Sequence, residues 1–371
     1  MAPFTVLPMA TQTAIAQLFQ TVVQVDTHRS IAGLCGGFSH RMVRGHKYWY
    51  YQFNDAKGKN RQIFLGQERP EILALIEKKQ DPQAKSQAQA ISRLVRMAIA
   101  AGATRSSNQH FNLIRQLSNF GFFHAGGVLV GSHAFLAYAN MLGIKWNHDT
   151  MTHTLDVDFA HAGHNVSVAL PADLSIDTTS AIESLGEGFL PQIKTGGRGG
   201  TWEHPTDPDF LIDFLTPKTS ESDAPFEHPG LGIALQPLRF MEFSLENVQQ
   251  ALVFGPSNAL AVNVPDPARY ALHKLIVYGE RPTRNHVKAI KDLKQASALI
   301  AVLQQERPQD LLEAWEDLQS RGPGWRKRVN QGVTAMDAQA RSENTGQPPF
   351  LDWIESQRAA NRSVSLPAWR G

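Results

Sequence analysis

The sequence predicts an α/β (α+β) fold: a mixed sheet flanked by helices, preceded by a small antiparallel sheet and followed by a helical domain. Three observations predict it. Between Ser39 and Leu65, aromatic and β-prone runs are separated by DAKGKN, a turn-like segment with Gly58. From Asn119, apolar runs of strand length alternate with helical patterns. From Arg239 to Leu303 the helical period dominates, interrupted at ALAVNVPDP.

The 371 residues suggest two or three domains and a sizeable core. Hydrophobic residues make up 42% and charged residues 19%, as in ordinary soluble chains. A net charge of +2 gives no bulk attraction to nucleic acid or a membrane surface, though a local basic patch is compatible with it. The single cysteine, Cys35, excludes an intramolecular disulfide and a Cys-based zinc site, and fits a reducing cytoplasm. No apolar run reaches the length of a membrane span, and the N-terminus lacks the pattern of a secretory signal.

Five segments are expected. Residues 1–80 hold an N-terminal helix and the small sheet; residues 81–118 form a helical linker. Residues 119–238 form the mixed α/β core. Residues 239–345 form the helical domain, and 346–371 a polar, partly disordered tail.

In chain order, residues 1–32 read as helix, with Ile15, Leu18, Phe19 and Val22 on one face. The small sheet is expected at Ser39–Arg44, Lys47–Asn54 and Arg61–Leu65. It carries Arg41, Arg44, Lys47, Lys57, Lys59 and Arg61, interleaved with Tyr48, Trp49, Tyr50, Tyr51 and Phe53. Cations and rings on a sheet suit nucleic acid, through phosphate contact and base stacking. The plainer reading is a hairpin whose rings are its own core. Residues 67–118 read as two or three helices, one starting near Pro70 and one ending at Gly102.

FFHAGGVLVGSHAFLAYANMLGI reads as a strand at Val128–Val130, a turn at Gly131-Ser132, then a helix. MLGIKWNHDTMTH is expected to loop out. THTLDVDFA is the next strand. Residues i and i+2 of a strand point the same way, so Asp156 and Asp158 share a face opposite Leu155, Val157 and Phe159. Two like charges that close repel unless water or a cation intervenes. PDFLIDFLTP is a further apolar run with Asp213 at its centre.

If these strands are neighbours, three carboxylates meet beside a Gly-Ser turn at a helix N-terminus. Hard divalent cations prefer carboxylate and phosphate oxygens. Two such ions can stabilise the attacking and leaving oxygens of phosphoryl transfer. A helix N-terminus offers free amides to phosphate, glycine allows close approach, and serine adds a hydroxyl.

GSHAFLAYANMLG, TLDVDF and LIDFLTP together resemble the core of the DNA-polymerase-β-type nucleotidyltransferase superfamily. VPDPARYALHKLIV and KAIKDLKQASALI resemble the C-terminal helices of a bacterial branch similar to abortive-infection-type nucleotidyltransferase toxins. The resemblance covers about Phe122 to Trp325. The Gly-Ser turn lies 24 residues before Asp156, a wider spacing than in minimal members. The resemblance implies transfer of a nucleoside monophosphate from an NTP, ATP for example, to a hydroxyl on an RNA end, a protein or a small molecule. It implies two Mg²⁺ ions, with Mn²⁺ as the alternative, bound by Asp156, Asp158 and Asp213. Asp213 would also assist deprotonation of the acceptor. Gly131 and Ser132 would hold the triphosphate, Lys274 would face the nucleotide, and Asp292 marks a second helical motif. tRNA or protein is the acceptor the toxin-like branch implies, with an antitoxin as a further partner.

Each residue also has a structural reading. Asp156 and Asp158 could be the polar face of an edge strand, and Asp213 the cap of a turn before Thr216-Pro217. Ser132 suits a helix N-cap. Lys274 could snorkel from an apolar helix, and Asp292 could pair with Lys288, Lys291 or Arg284. His161 and His164 are spaced like zinc ligands, but HAGH reads as a loop. KTGGRGGTWEHP is no Walker A motif; it reads as a loop near substrate or a plain strand connection. The competing functions are a non-catalytic nucleic-acid-binding protein with a relic carboxylate site, and a metal-dependent phosphodiesterase.

Overall fold

The computed structural model describes residues 2–27, 37–54, 60–70, 72–73, 76–77, 82–147, 149–152, 154–162, 177–194, 197–280, 286–343 and 348–364. Cys35, Lys57, Lys59, His148, His153, His164, Arg284 and most of the segment around Pro70–Gln80 lie outside them, with the readings placed there.

The chain opens with β1 (Phe4–Val6) and α1 (Met9–Thr27). The small sheet follows: β2 (Gly37–Val43), β3 (His46–Asn54) and β4 (Asn60–Gln67). Next come α2 (Pro82–Ala100), α3 (Asn108–Asn119), β5 (Gly127–Leu129), α4 (Gly131–Met141), β6 (Ile144–Trp146), α5 (Asp149–Thr152) and β7 (Val157–His161). Then come α6 (Thr178–Glu183), β8 (Leu190–Lys194), β9 (Gly197–Glu203), β10 (Leu211–Pro217), β11 (Phe226–His228) and β12 (Ile233–Leu238). The last part holds α7 (Met241–Leu245), β13 (Val248–Phe254), β14 (Ala259–Pro265), α8 (Pro267–Glu280), α9 (His286–Glu306), α10 (Pro308–Ser320), α11 (Pro323–Ser342) and α12 (Phe350–Val364).

The central sheet has seven strands and is mixed, as expected. β10 is its hub. On one side it pairs in parallel with β7. On the other, its first half is antiparallel to β9 and its second half parallel to β12. Gly200 sits where β9 gives way to β12. A Cβ there would lie 2.5 Å from the Phe214 carbonyl oxygen and 2.8 Å from the Gln236 amide nitrogen, so no other residue fits without moving backbone. Alternate residues Ile212, Phe214 and Thr216 of β10 are buried, which leaves Asp213 and Leu215 on the opposite face. Phe159 stacks on Phe214 beneath that pair of strands, with Phe122 edge-on to both.

The apolar face of α1 is formed as the periodicity predicts. Ile15, Leu18 and Val22 are buried, with Phe19 alongside, against α2 and the β13–β14 hairpin. Four expectations are corrected. Residues 1–32 are not helical throughout, because Phe4–Val6 pairs antiparallel with β6. For the same reason MLGIKWNHDTMTH does not simply loop out: it supplies β6 and α5, and Trp146 stacks on Phe135 at 4.2 Å. The region from Arg239 to Leu303 holds more than helices, since β13 and β14 pair along their full length. The polar tail carries α12, anchored by buried Phe350 against Trp315. A single buried ring outweighs a polar composition when it has an apolar partner.

Strand ends also shift by a residue or two. The strand before the Gly-Ser turn is Gly127–Leu129. The turn between β2 and β3 is Arg44-Gly45, both at positive φ, as a two-residue hairpin of right-handed twist requires. Among the described residues, no helix is long and apolar enough to cross a membrane.

Candidate active site

The parallel register of β7 and β10 sets Asp213 directly beside Asp158. Asp156 lies one residue before β7, so the strand is shorter than expected, and Leu155 is exposed rather than buried. The three carboxylates line one cleft of about 370 Å³, together with Gly131, Ser132, Lys274 and Asp292. All seven residues singled out in the sequence therefore meet. An edge-strand position for the aspartates is excluded, since β7 lies between β5 and β10. Asp213 is mid-strand rather than a turn cap, and its Oδ1 accepts a 2.6 Å hydrogen bond from the Thr201 hydroxyl on β9.

Gly131 begins α4 at φ +58°. A Cβ on it would lie 1.9 Å from Asp158 Oδ2, so only glycine lets the turn pass this close to the carboxylate. The backbone amide of Val130 donates to the Asp158 carbonyl at 3.0 Å, tying the turn to β7. Ser132 is not the N-cap. Val130 holds that place, without a side-chain bond, and Ser132 is buried in the first turn. Its hydroxyl is met at 3.3 Å by Gln295 Nε2, which also donates to the Met151 carbonyl at 2.8 Å. The Tyr270 hydroxyl donates to the Gly131 carbonyl at 2.7 Å. Side chains from α8 and α9 thus brace the Gly-Ser turn.

Helical spacing explains which residues face the cleft. Tyr270, Lys274 and Val277 are one stripe of α8; Lys288, Lys291 and Asp292 are one stripe of α9, with Gln295 a turn further on. Lys274 Nζ meets Asp292 Oδ1 at 2.5 Å, with both side chains largely buried. Lys274 therefore does not snorkel to solvent; it pairs with Asp292 across α8 and α9. Lys288 Nζ lies 3.2 Å from Asp156 Oδ2 and is 61% exposed. Lys288, Lys291, Tyr270, His273 and Thr201 are cleft residues that the motif reading missed. The i, i+3 spacing of Lys288 and Lys291, with Asp292 adjacent, was the signal available for the first two.

Burial holds the Asp158 carboxyl up, at about 7, and the charges of Asp156 and then Asp213 add to the effect. Asp156 behaves oppositely. Burial raises it, but the Thr154 hydroxyl and the Lys288 ammonium together hold it below its ordinary value. Burial also pushes the Lys291 ammonium down, while Asp156 pulls it back up. Burial lowers the His273 imidazole to about 4, keeping it neutral.

These shifts predict the pH dependence of stability. The folded pKa of Asp158 lies above its unfolded value of 3.8, so the folded chain holds this proton where the unfolded chain has lost it. Its contribution is complete below about pH 4 and is lost as pH rises to about 7. Asp156 acts only below its ordinary range, where acid removes stability. Equilibrium unfolding at several pH values should show the loss between about pH 4 and 7 in wild type and not in Asp158→Asn.

The His161/His164 zinc reading falls partly outside the described residues, since only His161 lies within them. His161 Nε2 donates to the Ala125 carbonyl at 3.0 Å and its ring packs on His228. Among the described residues, no three His, Cys, Asp or Glu side chains already converge as metal ligands. From Gly197 to Glu203 the glycine-rich stretch is strand β9 itself, paired antiparallel with β8, while residues 195–196 lie outside the described residues. Its functional content is Thr201, the residue after Gly200. Thr201→Val, which keeps the shape and removes the donor to Asp213, is expected to slow any carboxylate-dependent reaction about tenfold, with stability changed by about 1 kcal/mol or less. Steady-state rates and urea unfolding check it.

A family model described as Nucleotidyltransferase matches residues 108–320. The chain belongs to the nucleotidyltransferase family. The match spans α3 to α10 and contains every cleft residue named above. As a nucleotidyltransferase it is a transferase whose substrate is an NTP. Among solved structures, an antigenic nucleotidyltransferase-like protein from Paracoccidioides brasiliensis is similar over 62% of this chain and 95% of its own, at 13% identity and a TM-score of 0.30. No curated protein matches the sequence.

Proposed function

We propose that this nucleotidyltransferase moves a nucleoside monophosphate from an NTP to an acceptor hydroxyl with release of pyrophosphate, using divalent metal. The single observation that carries the reading is the register of Asp158 beside Asp213 at the start of α4, with Asp156 two residues earlier.

The donor set fits a hard divalent cation. It is made of carboxylate oxygens, and burial and mutual repulsion hold a proton on Asp158. The cleft carries three lysines, Lys274, Lys288 and Lys291, against four aspartates, Asp156, Asp158, Asp213 and Asp292. It has no excess positive charge to offer a triphosphate, so added cations are needed. Mg²⁺, or Mn²⁺, held by Asp156, Asp158 and Asp213 would supply charge neutralisation at the attacking and leaving oxygens.

The protein groups have separable tasks. Asp213, held by a hydrogen bond from Thr201, would accept the proton of the acceptor hydroxyl. The free amides at the start of α4 and the Ser132 hydroxyl face the phosphates. Lys274 sits in the cleft held by Asp292, so its ammonium is oriented before substrate arrives. Lys288, exposed and paired across the mouth with Asp156, can exchange that carboxylate for phosphate. Positioning and charge complementarity supply most of the rate, as is general for phosphoryl transfer.

The test is incubation of the protein with each NTP, Mg²⁺ and a pool of RNA and protein, followed by mass spectrometry. A nucleoside monophosphate added to an acceptor hydroxyl is the expected product. Free nucleotide with no modified acceptor would replace transfer by hydrolysis. No product of either kind would leave the cleft a non-catalytic nucleotide site. A toxin-like role and an antitoxin partner would follow only if the acceptor is a tRNA or an essential protein.

A further inference from the structure

The small N-terminal sheet has two unlike faces. One is closed: Trp49 and Tyr51 are buried, Phe38 packs edge-on to Tyr51, and Lys47 lies over Trp49 while pairing with Glu68 at 3.1 Å. The other face is open and carries Arg41, Tyr48, Tyr50 and Phe64, as the cross-strand register requires. Phe64 is 60% exposed, with its ring centre 6.1 Å from Tyr48 and 5.3 Å from Tyr50. The Arg41 guanidinium stands 5.4 Å from the Tyr50 ring centre. A hairpin core would account for the buried rings but not for three adjacent rings facing water, whose hydration is unfavourable.

Charge identifies the occupant. Residues 37–68 contain six lysines and arginines against two acids, Asp55 and Glu68, of which Glu68 pairs with Lys47, in a chain whose net charge is only +2. The partner is therefore anionic, and it presents flat apolar surface to the rings. We infer that this face binds single-stranded RNA, with unpaired bases stacked on Tyr48, Tyr50 and Phe64 and the strand's phosphates drawn by Arg41 and its basic neighbours. Ser39, Gln52 and Gln62 lie on the same face by register. Their hydroxyl and amides both donate and accept, which suits a ribose 2′-hydroxyl. The inference deepens the proposed function by naming an acceptor class, and rests on that reading only for the transfer step, not for binding.

The experiment measures binding of the full-length protein to short fluorescent oligonucleotides by anisotropy, without NTP and over a range of salt. Wild type should bind single-stranded RNA more tightly than the same DNA sequence or an RNA duplex. Phe64→Ser should weaken binding about tenfold, and Tyr48→Ser with Tyr50→Ser further. Arg41→Glu, an exposed change that tests the charge without touching the rings, should weaken binding and reduce the salt slope by about 1. Asp158→Asn should lose transfer and still bind RNA as wild type does, whereas RNA binding by a wild type that transfers nothing would overturn the catalytic reading alone. Absence of RNA binding by wild type, or wild-type binding by both Phe64→Ser and Arg41→Glu, would overturn the inference. Equal or tighter binding of DNA would overturn the assignment to RNA.

Discussion

Asp158→Asn should lower the rate of nucleotidyl transfer by about 10³-fold or more while leaving the fold intact, a loss of about 4 kcal/mol of transition-state stabilisation. Asp158 is the carboxylate that both others face. It neighbours Asp213 across the strands, and the charges of Asp156 and Asp213 raise its pKa after burial has done so. Asparagine keeps its volume and removes its charge. It also supplies an amide donor to neighbours that can only accept, so the free protein should become more stable above pH 7, by about 1–3 kcal/mol. Opposite signs on rate and stability distinguish a functional carboxylate from a structural one. Single-turnover kinetics beside urea unfolding at pH 8 make the comparison. An inactive variant that is also less stable would return Asp158 to the framework.

Gly131→Ala should be the most damaging methyl addition in the cleft, costing about 2–4 kcal/mol and eliminating transfer. Two penalties act together. The backbone is left-handed at φ +58°, which alanine adopts at a cost of about 1–2 kcal/mol. The new methyl would also lie 1.9 Å from Asp158 Oδ2, so the carboxylate or the whole turn must move. The damage spreads, because the Gly131 carbonyl accepts from Tyr270 and the neighbouring Val130 amide donates to β7. Denaturant unfolding gives the stability loss. Combining Gly131→Ala with Asp158→Gly should recover part of it, since the clash partner is then gone. No recovery would assign the whole cost to the backbone.

Much of the site was legible because its chemistry is carried by short local patterns. An Asp-x-Asp pair on a strand must share a face, whatever surrounds it. A Gly-Ser step between a strand and a helix must expose amides at the helix start. FLIDFL must choose a face for its one carboxylate. These are consequences of backbone geometry over three to six residues. The misses have the opposite character. Phe4–Val6 is a strand only because Ile144–Trp146 is available to pair with it, 138 or more residues away. Thr201 matters only because β9 lies beside β10. Phe350 anchors a helix in a polar segment only because Trp315 is there to receive it.

The N-terminal sheet divides the same way. Its strands and its mixture of rings and cations were plain in the sequence. Which rings face water was not, because alternation defines two faces without saying which one the rest of the chain covers. Trp49 and Tyr51 were covered; Tyr48, Tyr50 and Phe64 were left out.

By itself, the sequence determined the α/β class, the apolar stripe of α1, the three acidic positions and the Gly-Ser turn, since each follows from a period of two or 3.6 residues or from a residue's own backbone freedom. Only the tertiary structure decided that Asp213 stands level with Asp158, that Lys274 is held by Asp292, and that Lys288 reaches Asp156. Strand register and helix docking arise from packing between segments far apart in the chain, and no local pattern contains that information.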